Sequence, residues 1–309
     1  MFHEMKQVYA VYQEMSFSKA AKNLYISQPS LSAAVRKEEN ELGFPIFDRS
    51  TTPIRLTDFG KEYIRAAERI MDIERSFSQY IDDLSGLKTG TLTIGASNLF
   101  ISYLLPPLLS AYRKRYPSVT VDLVEGNADT LTEKLLTGKI DLLIDNIALD
   151  SAVYDSKFCS IDRLMLTVPK KLRVNEGLES YALTARQIRD GAHTDEKIPA
   201  VPLECFRKEP FLLLKAGNDS RIRAEAICAA HGFHLKPQLE FDQQITAYNL
   251  SCYGLGISFC GDLLIRMVPP CDDVLFYKLD EETSVRSIRC YYKHSRYLTK
   301  AAQEFLKMI

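Results

Sequence analysis

Ser16-Phe17-Ser18-Lys19-Ala20-Ala21-Lys22-Asn23-Leu24-Tyr25-Ile26-Ser27-Gln28-Pro29-Ser30-Leu31-Ser32 is the stretch whose reading decides the fold. Ser16 can cap a helix that turns Ala20, Ala21 and Leu24 inward, and the two alanines let a neighbouring helix approach closely. Tyr25-Ile26 makes a short turn. Ser27 is then a fresh N-cap, and Pro29 falls in the first turn, where its missing N–H costs little. Upstream, Met5, Val8, Val11 and Tyr12 form the apolar stripe of a preceding helix. Downstream, Leu31, Ala34, Val35 and Leu42 give the following helix its inner face. Helix, short turn, helix is the helix-turn-helix plan, whose second helix enters the DNA major groove.

The next segment has a different rhythm. Phe59, Tyr63, Ala66, Ile70, Ile73, Phe77, Tyr80 and Leu84 alternate spacings of four and three, a heptad seam that predicts a long helix paired with a partner helix and ending at Gly86. Tyr63, Ile70, Ile73 and Phe77 are its candidate dimer contacts. From residue 90 onward, short apolar strands alternate with helices, which implies βαβ units and mainly parallel sheets. Thr91–Gly95, Thr120–Val124, Ile140–Ile144, Glu209–Leu214, Leu239–Phe241 and Gly256–Phe259 read as strands. Residues 172–208 are polar and broken by Gly and Pro, and read as an insertion with one short helix near Thr184–Arg189.

The residues of the N-terminal segment resemble the signature of LysR-type transcriptional regulators. The match runs Ser16-Phe17-x-x-Ala20-Ala21-x-x-Leu24-x-x-Ser27-Gln28-Pro29-Ser30-Leu31-Ser32, then Glu39-x-x-Leu42-Gly43-x-x-x-Phe47-x-Arg49, then Leu56-Thr57-x-x-Gly60. The resemblance implies an α/β chain with an all-α N-terminal part. A winged helix-turn-helix (1–58) and a long linker helix (59–87) precede a two-lobed, periplasmic-binding-protein-like effector domain (88–309). Lobe I would hold about 90–160 and 270–309, lobe II about 161–269. Two positions depart from the family pattern: Ala33 replaces a usual Arg or polar residue, and Glu38 a usual Leu. Glu38 is expected to be buried against a cation.

Candidate DNA contacts follow from chemistry. Gln28 can pair bidentately with adenine, Pro29 can meet a thymine methyl, and Ser30 and Ser32 can reach a base edge or phosphate. Arg36 and Lys37 lie further along and suit phosphates. Arg49 and Arg55 flank the expected wing. Residues 1–60 carry seven basic and seven acidic side chains, so bulk attraction to DNA is small and a few placed groups, repeated by oligomerisation, must carry recognition.

In the effector domain, polar residues follow the strands. Ser97 and Asn98, Asn127, Asp145 and Asn146, Asn218 and Asp219, and Thr246 are candidate effector contacts, although each type is also an ordinary turn or cap residue. Asp145 and Asp219 would repel an anion, unless Arg221 turned inward to offset them.

Composition bounds the remainder. The chain of 309 residues has 39 Lys plus Arg against 40 Asp plus Glu, a net charge of −1, which excludes a coat basic along its whole length. No apolar run is long enough to span a bilayer, no signal peptide precedes the first helix, and the seven cysteines include no C-x-x-C, so reduced thiols in a cytoplasm are expected. Cys260 reads as a buried thiol, with redox sensing as the alternative, and His231 and His234 read as structural. No catalytic motif, cofactor or metal is implied. The expected function is a ligand-responsive regulator that binds an interrupted palindrome in double-stranded operator DNA. The expected partners are a small-molecule effector, further copies of itself as a homodimer or homotetramer, and RNA polymerase, with no membrane. The alternative is a solute-binding or catalytic α/β protein with a helical docking head.

Overall fold

The computed structural model describes residues 2–84, 90–280 and 282–309. Contacts divide the chain into two compact units, Met1–Leu84 and Ser85–Ile309.

The first unit opens with helices α1 (Met5–Glu14), α2 (Phe17–Asn23) and α3 (Gln28–Leu42). Ser16 and Ser27 cap α2 and α3 by accepting the Lys19 and Ser30 N–H groups. Gly43, at φ 77°, ends α3 in the left-handed region that glycine adopts without strain. A two-stranded wing, β1 (Phe47–Asp48) and β2 (Arg55–Leu56), precedes the long α4 (Asp58–Leu84). Val8, Val11, Ala20, Leu31, Val35 and Ile46 are fully buried in the core.

The N-terminal half of α4 belongs to that same core. Tyr63, Ile64 and Ala67 are buried in it, with Ile70 packed against it. Tyr63, expected in the dimer seam, is therefore held by its own domain, because its ring stacks on Phe2 and its hydroxyl donates to Glu38 Oε1. Ile73 (69% exposed) and Phe77 (63%) leave the domain surface uncovered. Gly86, expected to end the helix, lies outside the described residues.

Glu38 is fully buried, and among the described residues its hydrogen-bond partners are not cations. Its carboxylate accepts from the Phe2 N–H at 2.6 Å, the Glu4 N–H at 3.2 Å and the Tyr63 hydroxyl at 3.1 Å. Charge-assisted hydrogen bonds take the place of the ion pair expected for it.

The second unit has two lobes around one shared strand. Lobe I begins with β3 (Gly90–Ala96), α5 (Leu105–Arg115), β4 (Val119–Glu125), α6 (Ala128–Leu136) and β5 (Leu142–Asp145). Next comes β6 (Tyr154–Pro169), which runs through both lobes. Lobe II follows with β7 (Ala182–Leu183), α7 (Ala185–Arg189), β8 (Phe211–Leu214), α8 (Asp219–Ala230), β9 (Pro237–Phe241) and α9 (Gln244–Cys252). After these come β10 (Ile257–Gly261), α10 (Asp262–Met267) and β11 (Val274–Lys278). The chain closes with β12 (Val285–Lys293) and α11 (Lys300–Leu306).

The strand order is β4-β3-β5-β12-β6-β10-β8-β9, with β11 also paired to β6 and β7 paired to β11. The pairs β3–β4, β3–β5, β8–β9 and β8–β10 are parallel, whereas β6 and β12 run antiparallel to their neighbours. Two expectations are corrected. Residues 172–208 are part of the lobe II core rather than an insertion: Leu178, Leu183, Ile188, Val201, Leu203 and Phe206 are buried, and β7 pairs with β11. Pairing of β11 with β6 over Met165–Pro169 also places 274–278 in lobe II, beyond the boundary expected at 269.

Candidate DNA-binding face and interlobe cleft

The start of α3 is an exposed platform. Ser27, Gln28, Pro29 and Ser30 are exposed, Ser32 is half-buried, and Arg36 and Lys37 continue the exposed face one to two turns on. Ala33, which departs from the family pattern, also lies on that exposed face. Lys37 pairs with Glu4 at 2.9 Å. Arg49 is tied by its own domain, 2.8 Å from Glu39 and over the Phe17 ring. The other oxygen of Glu39 accepts the Ile46 and Phe47 N–H groups, so this carboxylate braces the wing. Arg55 is exposed on β2.

One exposed residue escapes motif reasoning. Tyr25, in the turn between α2 and α3, is 96% exposed and sits at φ 56°. A bulky L-residue in the left-handed region costs about 1 kcal/mol. The only warning in the sequence is an aromatic residue where a turn favours Gly or Asn.

In the second unit, two of the eight expected effector residues, Asn146 and Asp219, converge on one buried cluster, and its centre is a residue with no motif. Arg286, on β12, is buried and faces Asp162 on β6 in register. Its Nη2 and Nε lie 2.7 and 2.8 Å from Asp162 Oδ2. Its Nη1 donates to Asp219 Oδ2 at 2.9 Å and to Ser220 Oγ at 2.8 Å, at the start of α8 in lobe II. Turned so that its carbonyl faces the guanidinium, the Asn146 amide of lobe I accepts from Nε at 2.9 Å and Nη1 at 3.1 Å, and donates to Asp145 Oδ1 at 3.2 Å. Arg286 thus joins the strand ends of both lobes.

The remaining expected residues play other parts. Asp145 is buried and accepts the Asn146 and Ile147 N–H groups, while burial pushes its carboxyl up. Asn218 caps α8 and Asn127 caps α6, the latter on an exposed turn. Ser97 is half-buried just after β3, and Asn98 donates to Glu125 at 3.3 Å. Thr246 is exposed on α9; Gln244 takes the inward position, donating to Ser220 Oγ and accepting the Gly261 N–H, each at 3.3 Å.

Two electrostatic expectations change. Asp219 does not stand as an uncompensated repulsive charge, because Arg223 Nε holds its two oxygens at 3.0 and 2.9 Å and Arg286 adds a third contact. Arg221 does not turn into the cleft; it binds the Leu214 carbonyl and Glu240 at the β8–β9 edge. Beneath Arg286 lies a second layer. Asp162 and Asp262 hydrogen-bond to each other, Asp262 meets His193 Nε2 at 2.8 Å, and the Arg163 and Leu263 N–H groups cap the two carboxylates. Burial pushes Asp162 up, whereas Asp262, against the same burial, is held down at about 2 by hydrogen bonds from His193 and Asp162. A Cβ on Gly261 would sit 2.8 Å from Asp162 Cγ, so glycine here makes room for the carboxylate.

Cys260 is fully buried beside Ser258, and burial pushes its thiol up to about 11, away from the thiolate that oxidation requires. His231 binds Glu204 at 2.9 Å. Among the described residues, no group of three His, Cys, Asp or Glu side chains is arranged to hold a metal ion, and no helix is long and apolar enough to cross a membrane.

A winged helix-turn-helix with a long helix, followed by a two-lobed α/β domain, defines a one-component transcription regulator. The chain belongs to the LysR family: residues 2–61 match the bacterial regulatory helix-turn-helix protein model of that family, and residues 85–187 and 192–309 match its LysR substrate binding domain. It is a DNA-binding transcriptional regulator with an effector-binding domain, not an enzyme. It is 30% identical to YcgK of Bacillus subtilis (strain 168), an uncharacterized HTH-type transcriptional regulator, over 98% of this chain and 92% of that one. It is 34% identical to a probable RuBisCO transcriptional regulator of Cyanidioschyzon merolae, over 97% and 94% of the two chains. Its fold resembles that of full-length CbnR in complex with its target DNA, with a TM-score of 0.64 at 20% identity, covering 100% of this chain and 98% of that one.

Proposed function

We propose that this regulator reads an interrupted palindrome in double-stranded operator DNA by inserting the start of α3 into the major groove. The observation that carries this is the exposed, doubly serine-capped approach to α3, with Gln28, Pro29 and Ser30 at its tip. Gln28, Ser30 and Ser32 face bases, Pro29 meets a methyl group, and Arg36 and Lys37 hold phosphates. Arg49 and Arg55 support backbone contact at the wing, and the Tyr25 hydroxyl reaches a phosphate beside the groove. Ile73 and Phe77 on α4 pair two chains into a homodimer, which assembles further into a homotetramer in the cytoplasm. RNA polymerase is the downstream partner. A small-molecule effector binds between the lobes and shifts their relative population of states, which resets the spacing of the DNA-binding domains.

Gel shifts with the promoter region beside the protein's own gene test this reading. Binding is expected for the wild type and lost for Gln28→Ala with folding intact. Absence of binding to that DNA across a salt series would refute it.

A further inference from the structure

The Arg286 cluster carries information about the chemical class of the effector; this step rests on reading the interlobe cleft as the effector site. Nε and Nη2 of Arg286 are occupied by Asp162, whereas Nη1 is the edge that meets groups from both lobes. Its counter-ion on that edge, Asp219, is shared, since Arg223 holds both Asp219 oxygens independently. Asp219 can therefore leave Arg286 without being left unpaired.

The counter-charge on the Nη1 edge is shared. Asp262 is held down at about 2 and carries one negative charge. Arg266 lies 3.5 Å from Asp262 and takes up that charge. Arg286 and Arg223 are left sharing the single carboxylate of Asp219. Asp145 is pushed toward its neutral form by burial and spends Oδ1 on two backbone N–H groups. On this edge two guanidiniums thus share one carboxylate, in a place where uncompensated charge is costly.

We infer that the effector carries an oxyanion, a carboxylate or phosphoryl group, that takes the place of Asp219 on Arg286 Nη1. The incoming oxygen accepts from Nη1 and from the Ser220 hydroxyl, while Asp219 remains on Arg223. An amine would set a second cation against Arg286, and a polyol would leave Nη1 without a counter-charge.

The test is the thermal midpoint of the full chain at low millimolar ligand. Benzoate, succinate, inorganic phosphate and glycerol 3-phosphate are set against benzylamine, putrescine and sorbitol. At least one oxyanion is expected to raise the midpoint, and the carboxylate and phosphate arms separate the two sources. Arg286→Gln should abolish that shift, and Asp219→Asn should tighten binding several-fold by removing the internal competitor. Should Arg286→Gln fail to fold, Asp219→Asn decides alone. Stabilisation by an amine or polyol, lost in Asn146→Ala, would overturn the anion and leave the cleft as the effector site. Midpoints unmoved by every compound would overturn both. An oxyanion shift unchanged in Asp219→Asn would overturn the exchange.

Discussion

Arg286 and Asp162 face each other across β12 and β6, 2.7 Å apart and both buried, at the point where β6 passes from one lobe to the other. Breaking a buried pair from one side strands the remaining charge, which costs about 3–5 kcal/mol. Arg286→Met should therefore destabilise the chain by that order, and Asp162→Asn by less, because an amide oxygen still accepts from the guanidinium. Urea unfolding of both variants measures the difference; equal losses would show that the charge of Asp162 is what matters.

Gly261→Ala tests the same junction from the backbone side. The added methyl would lie 2.8 Å from Asp162 Cγ, and the carboxylate must move off Arg286 to admit it. A loss of about 1–3 kcal/mol is expected, as for overpacking elsewhere. The double variant Gly261→Ala/Asp162→Ala should be less than additive by calorimetry, since the clash is gone.

Acid should loosen this layer in a defined window. Asp262 is held down at about 2, so its contribution is present above the ordinary aspartate value near 4 and fades as pH falls toward 2. Burial pushes Asp162 up, and that contribution has the opposite sign, favouring folding at lower pH. Asp262→Asn should flatten the loss of stability between about pH 4 and pH 2, by on the order of 2 kcal/mol across the window. Unfolding midpoints at several acid pH values measure it.

Tyr25 separates stability from DNA affinity. Tyr25→Gly relieves the left-handed strain at φ 56° and should leave stability unchanged or raise it by up to about 1 kcal/mol. The same change should weaken operator binding by about 1 kcal/mol, the net worth of one lost hydrogen bond. Tyr25→Phe should bind as weakly as glycine if the hydroxyl carries the contact. Unchanged binding in both variants would assign the residue no part in recognition.

The proposed dimer seam takes in less of α4 than the heptad does. Ile73→Asp with Phe77→Asp should shift the chain to monomer in sedimentation, because both side chains are uncovered on α4. Tyr63→Asp should instead unfold the DNA-binding domain, since Tyr63 closes the Glu38 site.

That contrast shows what the sequence carried. The capped approach to α3 was legible because Ser16, Ser27 and Pro29 act on their own neighbours. The heptad was legible as a helix but not in its partner, because one apolar seam serves its own domain at Tyr63 and leaves Ile73 open. The strand-end polar residues were found, whereas their organiser was not. Arg286 is separated by 124 residues from Asp162 and by 67 from Asp219, so no local pattern joins them. The signal that was present is alternation: Arg286 shares the inward face of β12 with Ile288 and Cys290, an unusual place for a guanidinium.

Strand β6 is a mechanical link between the two lobes. Its first ten residues are laced to β12 and its last six to β10 and β11, so the two lobes are cut from one continuous ribbon. Rotation of one lobe against the other is then torsion of that ribbon near Asp162 and Arg163. A ligand that turned one lobe against the other would have to twist β6 where the buried Arg286–Asp162 pair ties it to β12.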